Sequence, residues 1–252
     1  MSTSSKRLTW LKRLKRAAKL RWAPAGPELA VEFLLPERTL DELFPGADQV
    51  EVSLMPRLIR QHFWAMPEHE VLVLGALSKL LQPRLIVEFG TFTGGSTLVM
   101  AANTAAETRI ITVEVPPEFR ATHHHGLGVG LPEFDVGSVY RGTSYQAKIE
   151  QRFANTLEFD IRGLEAAVNL VLVDADHTYD FVKRDTATAA KLPRPGGAIV
   201  WHDYTWDEQS PECAGVTRCV NEFWQDRGRC YRLVGTRFAV FIDRELACSP
   251  GH

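Results

Sequence analysis

The sequence predicts a doubly wound α/β domain, with helices on both faces of a mostly parallel sheet. Three observations predict it. Short apolar runs typical of buried strands alternate with segments of helical periodicity. A glycine-rich turn joins one of these runs to a helix, and polar residues stand where the strands end. The chain has 252 residues, 45% hydrophobic and 24% charged, which is ordinary for a globular protein.

The strand–turn–helix unit of residues 85–101 organises the domain. An apolar strand ends at Glu88 and Gly90, small residues 91–95 form a turn, and a helix follows to about residue 106. Glycine lets a ligand approach the backbone closely, and a helix start offers unpaired N–H groups. This unit therefore predicts a site for a polar ligand.

The strand 109–115 adds a second ligand signal, because Glu114 stands near its end. Glu114 follows Gly90 by 24 residues, close to the spacing of about 20 at which α/β nucleotide sites hold ribose hydroxyls. The turn reads E-x-G-x-x-x-G rather than G-x-G-x-x-G, and Glu88 would attract an ammonium and repel a pyrophosphate. A ribose-bearing ligand with an amine, such as S-adenosylmethionine, therefore fits better than a dinucleotide.

The other elements follow from periodicity and from turn residues. The segment 116–142 is a long loop, interpreted as a lid, and 193–197 break the chain before a strand. Helices are predicted near 58–63 and over 67–81, 143–153, 178–192 and 215–227; strands over 156–159, 170–173 and 198–201; and a hairpin over 231–234 and 238–242.

Polar residues follow two of these strands, with Asp174, Asp176 and His177 after one and His202 and Asp203 after the other. The carboxyl ends of parallel strands meet at one edge, so these groups converge if the two strands are neighbours. Asp176 or His177 is a candidate general base, and His202 a further catalytic candidate. The alternatives are that Asp176 caps the next helix and that each histidine is a packed structural residue.

Four motifs in order resemble the class I S-adenosylmethionine-dependent methyltransferases. They are E-F-G-T-F-T-G-G-S-T, V-E at the second strand end, D-A-D-H-T-Y at 174–179 and G-G-A-I-V-W-H-D-Y at 196–204. The last two resemble the small-molecule O-methyltransferase branch, with macrocin-type, catechol-type and cephalosporin-hydroxylase-like enzymes. The resemblance covers about 66–243 and implies a Rossmann-like, seven-stranded, mostly parallel sheet whose last strand is antiparallel.

The resemblance also implies methyl transfer from S-adenosylmethionine to a hydroxyl of a small molecule, a sugar or a secondary metabolite. The cofactor contacts that it implies are Glu88, Gly90, Thr91, Gly94, Ser96, Glu114 and Asp174.

A divalent metal, Mg²⁺ or Mn²⁺, is a further expectation from the resemblance. Metal-dependent relatives carry a carboxylate after strand four and an acid–acid or acid–amide pair after strand five, which places the ligands at Asp174, His202 and Asp203. The imidazole of His202 departs from that pattern, because it suits transition ions better than Mg²⁺. Either the ion is a transition metal, or His202 is not a ligand, or no metal binds.

Charged residues are distributed unevenly along the chain. Residues 1–27 hold eight Lys or Arg and no acid, which leaves 21 basic and 31 acidic residues in the remainder. An acidic body argues against a nucleic-acid partner. The basic, amphipathic stretch 6–22 predicts a helix at a membrane surface or on a partner. The alternatives are a solvated, partly disordered arm, or a helix packed on its own domain or on a second subunit of a homo-oligomer.

The chain is divided into an N-terminal basic helix and extension (1–65), a methyltransferase domain (66–245) and a tail (246–252). Four cysteines without a C-x-x-C spacing are interpreted as free thiols in a reducing, cytoplasmic compartment. Two rivals remain at this point, an NAD-dependent oxidoreductase and a non-catalytic S-adenosylmethionine-binding scaffold at a membrane surface. An amine rather than a hydroxyl acceptor also stays open.

Overall fold

The structure is a computed structural model that describes residues 32–59, 65–116, 134–205 and 213–243. Its strands are β1 (Glu37–Arg38), β2 (Leu85–Phe89), β3 (Arg109–Glu114), β4 (Ile149–Phe153), β5 (Val168–Val173), β6 (Pro193–Trp201), β7 (Cys230–Leu233) and β8 (Ala239–Ile242). The described α-helices are α1 (Leu40–Leu43), α2 (Glu68–Leu81), α3 (Gly95–Ala102), α4 (Tyr179–Ala189) and α5 (Ala214–Arg227). Short 3₁₀ turns lie at Ala47–Gln49, Pro56–Leu58, Gln146–Lys148 and Thr156–Glu158.

One sheet holds all eight of these strands in the order β1-β7-β8-β6-β5-β2-β3-β4. The last strand, β8, runs antiparallel to both of its neighbours, β6 and β7. The other strand pairs are parallel. The predicted doubly wound sheet with an antiparallel last strand is confirmed. The described part of the chain has eight strands rather than seven, because the two-residue strand β1 pairs with β7 at the edge.

Two apolar cores lie on opposite faces of the sheet, since neighbouring residues of a strand point to opposite sides. Ile86 belongs to the core under α2 and α3, which includes Leu74 and Leu98. Val87 belongs to the core under α4 and α5, which includes Val182 and Val220. The extension packs into the first core through buried Leu43, Phe44 and Leu58.

Two of the predicted elements are wrong in the region 143–159. The segment predicted as a helix contains strand β4, which pairs with β3 along its length, and the predicted strand 156–159 is a 3₁₀ turn. The sequence I-E-Q-R-F of β4 carries three consecutive polar residues, and its side chains are only partly covered because it is an edge strand. Such a strand has no apolar run to mark it.

Several boundaries also differ. Helix α3 ends at Ala102 rather than near 106. The Lys148 ammonium donates to the Ala101 carbonyl in its last turn and to the Thr104 carbonyl just beyond it. Residues 193–197, predicted as a break, belong to β6. Helix α4 ends at Ala189 rather than near 192.

Some predictions fall outside the described residues: the helix 6–22, most of the lid with its three histidines, the tail 246–252 and Cys248. Cys213, Cys219 and Cys230 are buried and form no disulfide within the described part of the chain, as expected. Among the helices described, none combines the length and the apolar character that a membrane crossing requires.

Candidate active site

The turn after β2 has the backbone geometry that its glycines predict. Gly90 has φ +95°, and a Cβ there would lie 2.0 Å from the carbonyl oxygen of Asp174. Gly94 has φ +86°, and its Cβ would lie 2.5 Å from the ring of Tyr140. Helix α3 begins directly afterwards with no side-chain cap. The turn therefore brings a bare helix start close to the end of β5.

Glu88 lies beneath this turn and is fully buried. Its two carboxylate oxygens accept hydrogen bonds of 2.5 Å from the Ser96 and Thr97 hydroxyls. Burial raises the pKa of Glu88 to about 7, although hydrogen bonds from Ser96, Thr112 and Thr97 oppose the shift. Glu88 thus fixes the side chain of Ser96, which lies in the first turn of α3. The predicted cofactor site is at this end of the helix.

Glu114 lies at the end of β3 beside the same turn. Its Oε2 accepts a 2.8 Å hydrogen bond from the Phe92 amide, which fixes the carboxylate against residues 91–94. Thr91 is buried, its hydroxyl lies 2.7 Å from that of Thr112, and it also accepts from the Gln151 amide. The predicted cofactor residues of β2 and β3 therefore surround one turn.

The ends of β5 and β6 lie side by side, because Val173 pairs with Trp201 and the His202 amide donates to the Val173 carbonyl. Asp203 follows with φ +58°, a left-handed conformation that is uncommon outside glycine. In that conformation its buried carboxylate faces both histidines: Oδ2 lies 3.0 Å from His177 Nε2 and 3.2 Å from His202 Nδ1.

His202 is a buried imidazole with an acid on each side. Its Nδ1 lies 3.2 Å from Asp174 Oδ1, and its Nε2 lies 2.8 Å from Glu70 Oε2. Burial alone would lower the pKa of His202, but the charges of Asp203 and Asp174 raise it well above its ordinary value. Both ring nitrogens face carboxylates, which is the arrangement of a doubly protonated imidazolium.

Glu70 and Arg237 belong to this cluster, and the sequence analysis missed both. Glu70 lies in the first turn of α2, is 1% exposed, and accepts from the Arg237 amide at 2.6 Å and from its guanidinium at 3.2 Å. The Arg237 Nη1 also lies 2.5 Å from Asp203 Oδ1. One signal was present for Glu70: it stands on the apolar stripe of α2 with Leu74 and Leu77. Arg237 had none.

The charges of the cluster compensate one another. Burial would raise the pKa of Glu70, but the hydrogen bond and charge of His202, together with Arg237, lower it to about 2. Burial would likewise raise the pKa of Asp203, but His202 and His177 lower it well below the usual range. The hydrogen bond from His177 to Asp203 raises the pKa of His177, against the effect of burial. The two acids are therefore held ionised.

Three groups of the cluster are arranged as a candidate metal site. Asp174, His177 and Asp203 each offer one ligand atom, and these atoms lie within 4.8 Å of one another. Two carboxylates and one imidazole suit Mn²⁺, Fe²⁺ or Zn²⁺ better than Mg²⁺. The donor set therefore fits a divalent transition ion, with His177 in the place where the sequence analysis put His202.

Asp176, the other candidate base, supports the local turn. Its Oδ1 accepts from the Thr178 amide at 2.7 Å and from the Thr178 hydroxyl at 2.5 Å. Thr178 is the N-cap residue of α4 without a side-chain bond to the helix. The geometry of Asp176 is that of a residue that orders the start of a helix.

Replacing Glu70 by glutamine should lower the free energy of unfolding by about 3 kcal/mol at pH 7, since His202 and Arg237 lose the charge that compensates them. The pKa of Glu70 is depressed to about 2, so its contribution is complete above its ordinary pKa of 4.5 and is lost as the pH falls through 2. Urea unfolding at pH 7, 4 and 3 measures this: the difference between wild type and variant should shrink towards pH 3.

The matched control is Glu68→Gln, an exposed acid in the same helical turn, which should change stability by less than about 0.5 kcal/mol. A pH-independent difference for Glu70→Gln would contradict the charge argument.

Comparisons with known proteins agree with this geometry. Residues 87–204 match the model of a methyltransferase domain family. The O-methyltransferase TomG from Streptomyces achromogenes, solved with SAM, is 20% identical, with a TM-score of 0.55 over 78% of this chain and 94% of that one. An O-methyltransferase from Bacillus cereus, solved with SAH, is 17% identical, with a TM-score of 0.53 over 77% and 93% of the two chains.

A methyltransferase from Podospora anserina is 14% identical, with a TM-score of 0.56 over 79% of this chain and 92% of that one. No curated protein matches the sequence. At these identities the solved structures establish the fold, and the family match covers Glu88, Glu114 and the cluster residues between Asp174 and Asp203. Residues 87–204 therefore match a methyltransferase domain family, and the chain has the fold of these solved methyltransferase structures.

Proposed function

We propose that this protein transfers the methyl group of S-adenosylmethionine to a hydroxyl of a small molecule. The observation that carries the proposal is the convergence of Asp174, His177 and Asp203 at the carboxyl ends of β5 and β6, beside the glycine turn after β2. Ligands collect at this edge in a doubly wound sheet. The methyltransferase domain match supports the reaction class, and the O-methyltransferases among the solved structures support a hydroxyl acceptor.

The turn and the ends of β2, β3 and β5 supply the cofactor contacts. Gly90, Thr91 and Gly94 form the backbone cradle, and Ser96 lies in the first turn of α3, where N–H groups and the helix dipole favour a carboxylate. In this proposal Glu114, held beside the turn by the Phe92 amide, accepts the ribose hydroxyls, and Asp174 lies beside the cradle at Gly90. Glu88 acts from beneath by orienting Ser96. When bound, the sulfonium supplies an activated methyl group.

His177 is the best-placed proton acceptor. Its Nε2 faces Asp203 at 3.0 Å, which leaves Nδ1 for the acceptor hydroxyl, and its side chain is 29% exposed. Asp203 orients the ring and stabilises the imidazolium that would form. His202, enclosed by Glu70, Asp174 and Asp203, acts as a positioning residue that keeps the two aspartates in place.

A divalent ion is the alternative way to activate the hydroxyl. Asp174, His177 and Asp203 would hold it, in place of the set with His202 that the sequence suggested. Such an ion would lower the pKa of a bound hydroxyl, so that proton loss needs no strong base. In that case His177 is a ligand rather than the base, and addition of Mn²⁺ distinguishes the two arrangements.

The test is calorimetric titration of the metal-stripped protein with S-adenosylmethionine, repeated with Mn²⁺ and with Mg²⁺. We expect binding that Glu114→Ala weakens at least about 100-fold, because two ribose hydroxyls lose a charged acceptor. Glu107→Ala, which removes an exposed acid just before β3, is the control and should bind as wild type. An enhancement by Mn²⁺ that exceeds the effect of Mg²⁺ would support the metal arrangement.

The absence of S-adenosylmethionine binding under all of these conditions would overturn the proposal. Release of S-adenosylhomocysteine in a screen of hydroxylated and amine-bearing acceptors then identifies the class of acceptor. We further propose a reducing, cytoplasmic location, which is supported by the fact that Cys213, Cys219 and Cys230 form no disulfide among the described residues.

A further inference from the structure

A surface groove of about 290 Å³ opens beside the acid–histidine cluster. The first turn of α2 and the β7–β8 hairpin form it, and its lining residues are His69, Glu70, Arg232, Gly235, Thr236 and Arg237. Because β8 is antiparallel, its first residue Ala239 pairs with Trp201 at the carboxyl end of β6. The groove is therefore at the edge of the sheet that holds the proposed site, and its volume is close to the lower limit for small-ligand pockets, roughly 300 Å³.

Arg237 connects the groove to the cluster. Its guanidinium lines the groove, while Nη1 lies 2.5 Å from Asp203 Oδ1 and Nη2 lies 3.2 Å from Glu70 Oε2. Asp203 in turn contacts both His177 and His202. A molecule in the groove thus touches the same side chain that holds Asp203, the residue that contacts the proposed base His177.

Polar residues line the groove, and the charged groups that they expose are the guanidinium groups of Arg232 and Arg237. The six lining residues include no aromatic or aliphatic side chain other than the imidazole of His69. The Arg232 and Arg237 side chains are 29% and 33% exposed. Glu70, which pairs with Arg237, is 1% exposed, whereas Glu37, which pairs with Arg232 outside the lining, is 58% exposed. A ligand in the groove meets guanidinium N–H groups. Of the two acids that compensate these groups, Glu70 is buried, and Glu37 does not line the groove.

The guanidinium of Arg232 is fixed by two contacts before any ligand binds. Its Nη1 donates to Glu37 Oε1 at 2.8 Å, and its guanidinium lies 4.6 Å from the ring of Phe33. Its Nε is buried and has no acceptor among the described residues. A guanidinium fixed by one acid and one ring loses less side-chain entropy when it binds a second anion.

We propose that this groove binds the methyl acceptor and that the acceptor is a hydroxylated acid, whose anionic group lies against Arg232 and Arg237. The assignment rests on the proposed methyl transfer for the role of the ligand, and on the groove itself for its chemistry. A neutral aromatic acceptor finds no apolar wall among these residues, whereas a carboxylate gains charge-assisted hydrogen bonds.

Two matched pairs of probes test the proposal: 3,4-dihydroxybenzoate against catechol, and glucuronate against methyl glucoside. Within each pair the main difference is one carboxylate. Ligand-observed NMR titration of the full chain should give each acid at least about 10-fold tighter binding than its neutral partner. In Arg232→Gln this preference should fall to about 2-fold or less. Arg229→Gln is the control, because Arg229 is also an exposed, ion-paired arginine of the hairpin region but does not line the groove.

Equal binding of acid and neutral probe by the wild type would overturn the proposal, as would an acid preference that survives Arg232→Gln. Parallel calorimetry with S-adenosylmethionine separates this result from the proposed function. Cofactor binding without any preference for the acid probes contradicts only the proposal that the groove binds an acidic acceptor. A preference for the acid probes without cofactor binding contradicts the proposed methyl transfer, and the groove is then only an anion-binding site.

Discussion

Gly90→Ala is expected to abolish S-adenosylmethionine binding and to lower the free energy of unfolding by more than about 4 kcal/mol. The added Cβ would lie 2.0 Å from the Asp174 carbonyl oxygen and 2.6 Å from its carbonyl carbon, and neither atom belongs to a flexible side chain. The φ of +95° adds strain of its own. The ends of β2 and β5 must separate to make room for the alanine side chain at position 90, and this separation displaces Asp174, a proposed cofactor contact. Urea unfolding and calorimetric titration with the cofactor measure both effects.

Gly46→Ala separates the steric clash from the backbone strain. Gly46 has φ +88°, but a Cβ there meets nothing within 4 Å, so we expect a cost of about 1–2 kcal/mol from the left-handed conformation alone. Cofactor binding should be unchanged in this control. If Gly90→Ala costs no more than Gly46→Ala, the close approach of β2 and β5 is not a requirement of the fold.

Asp203→Asn is expected to slow methyl transfer by about 10²- to 10⁴-fold, the usual contribution of acid–base catalysis. Asparagine tolerates the left-handed conformation at φ +58° as well as aspartate does. The substitution therefore removes the charge and leaves the backbone in place. His177 and Arg237 lose the carboxylate that lies 3.0 Å and 2.5 Å from them, respectively. Single-turnover release of S-adenosylhomocysteine, with the best acceptor from the screen, measures the rate.

Cofactor affinity shows whether the effect of Asp203→Asn is specific to the chemical step. We expect the dissociation constant for S-adenosylmethionine to change by less than about 3-fold, because the proposed cofactor contacts lie on other residues. Any binding of Mn²⁺ should be lost. Asp160→Asn, at an exposed acid paired with Arg162, is the control and should retain the wild-type rate. A wild-type rate in Asp203→Asn would remove Asp203 from the mechanism.

The buried strands and the cofactor turn were predictable because their signals are local. Strands β2, β3 and β5 are continuous apolar runs, as strands covered on both faces must be. Edge strand β4 lacks that signal, since solvent covers part of it and its sequence I-E-Q-R-F tolerates charge. Its identity as a strand depends on pairing with β3.

The candidate site likewise has features that the sequence could predict and others that it could not. Asp174, His202 and Asp203 could be placed together in advance, because neighbouring parallel strands bring their carboxyl ends to one edge. Which histidine completes the candidate metal site could not be predicted. His202 also lies 3.2 Å from each aspartate, but its other ring nitrogen faces Glu70, which is distant in the chain.

By itself, then, the sequence determined the buried strands, the glycine turn and the acids at the strand ends, since each of these follows from residues near one another in the chain. Only the tertiary structure decided that Glu70 and Arg237, 167 residues apart, meet beneath His202 and Asp203. Helix α2 and the terminal hairpin each contribute one charge that is costly to bury alone, and packing against the sheet edge brings the two charges together so that each compensates the other.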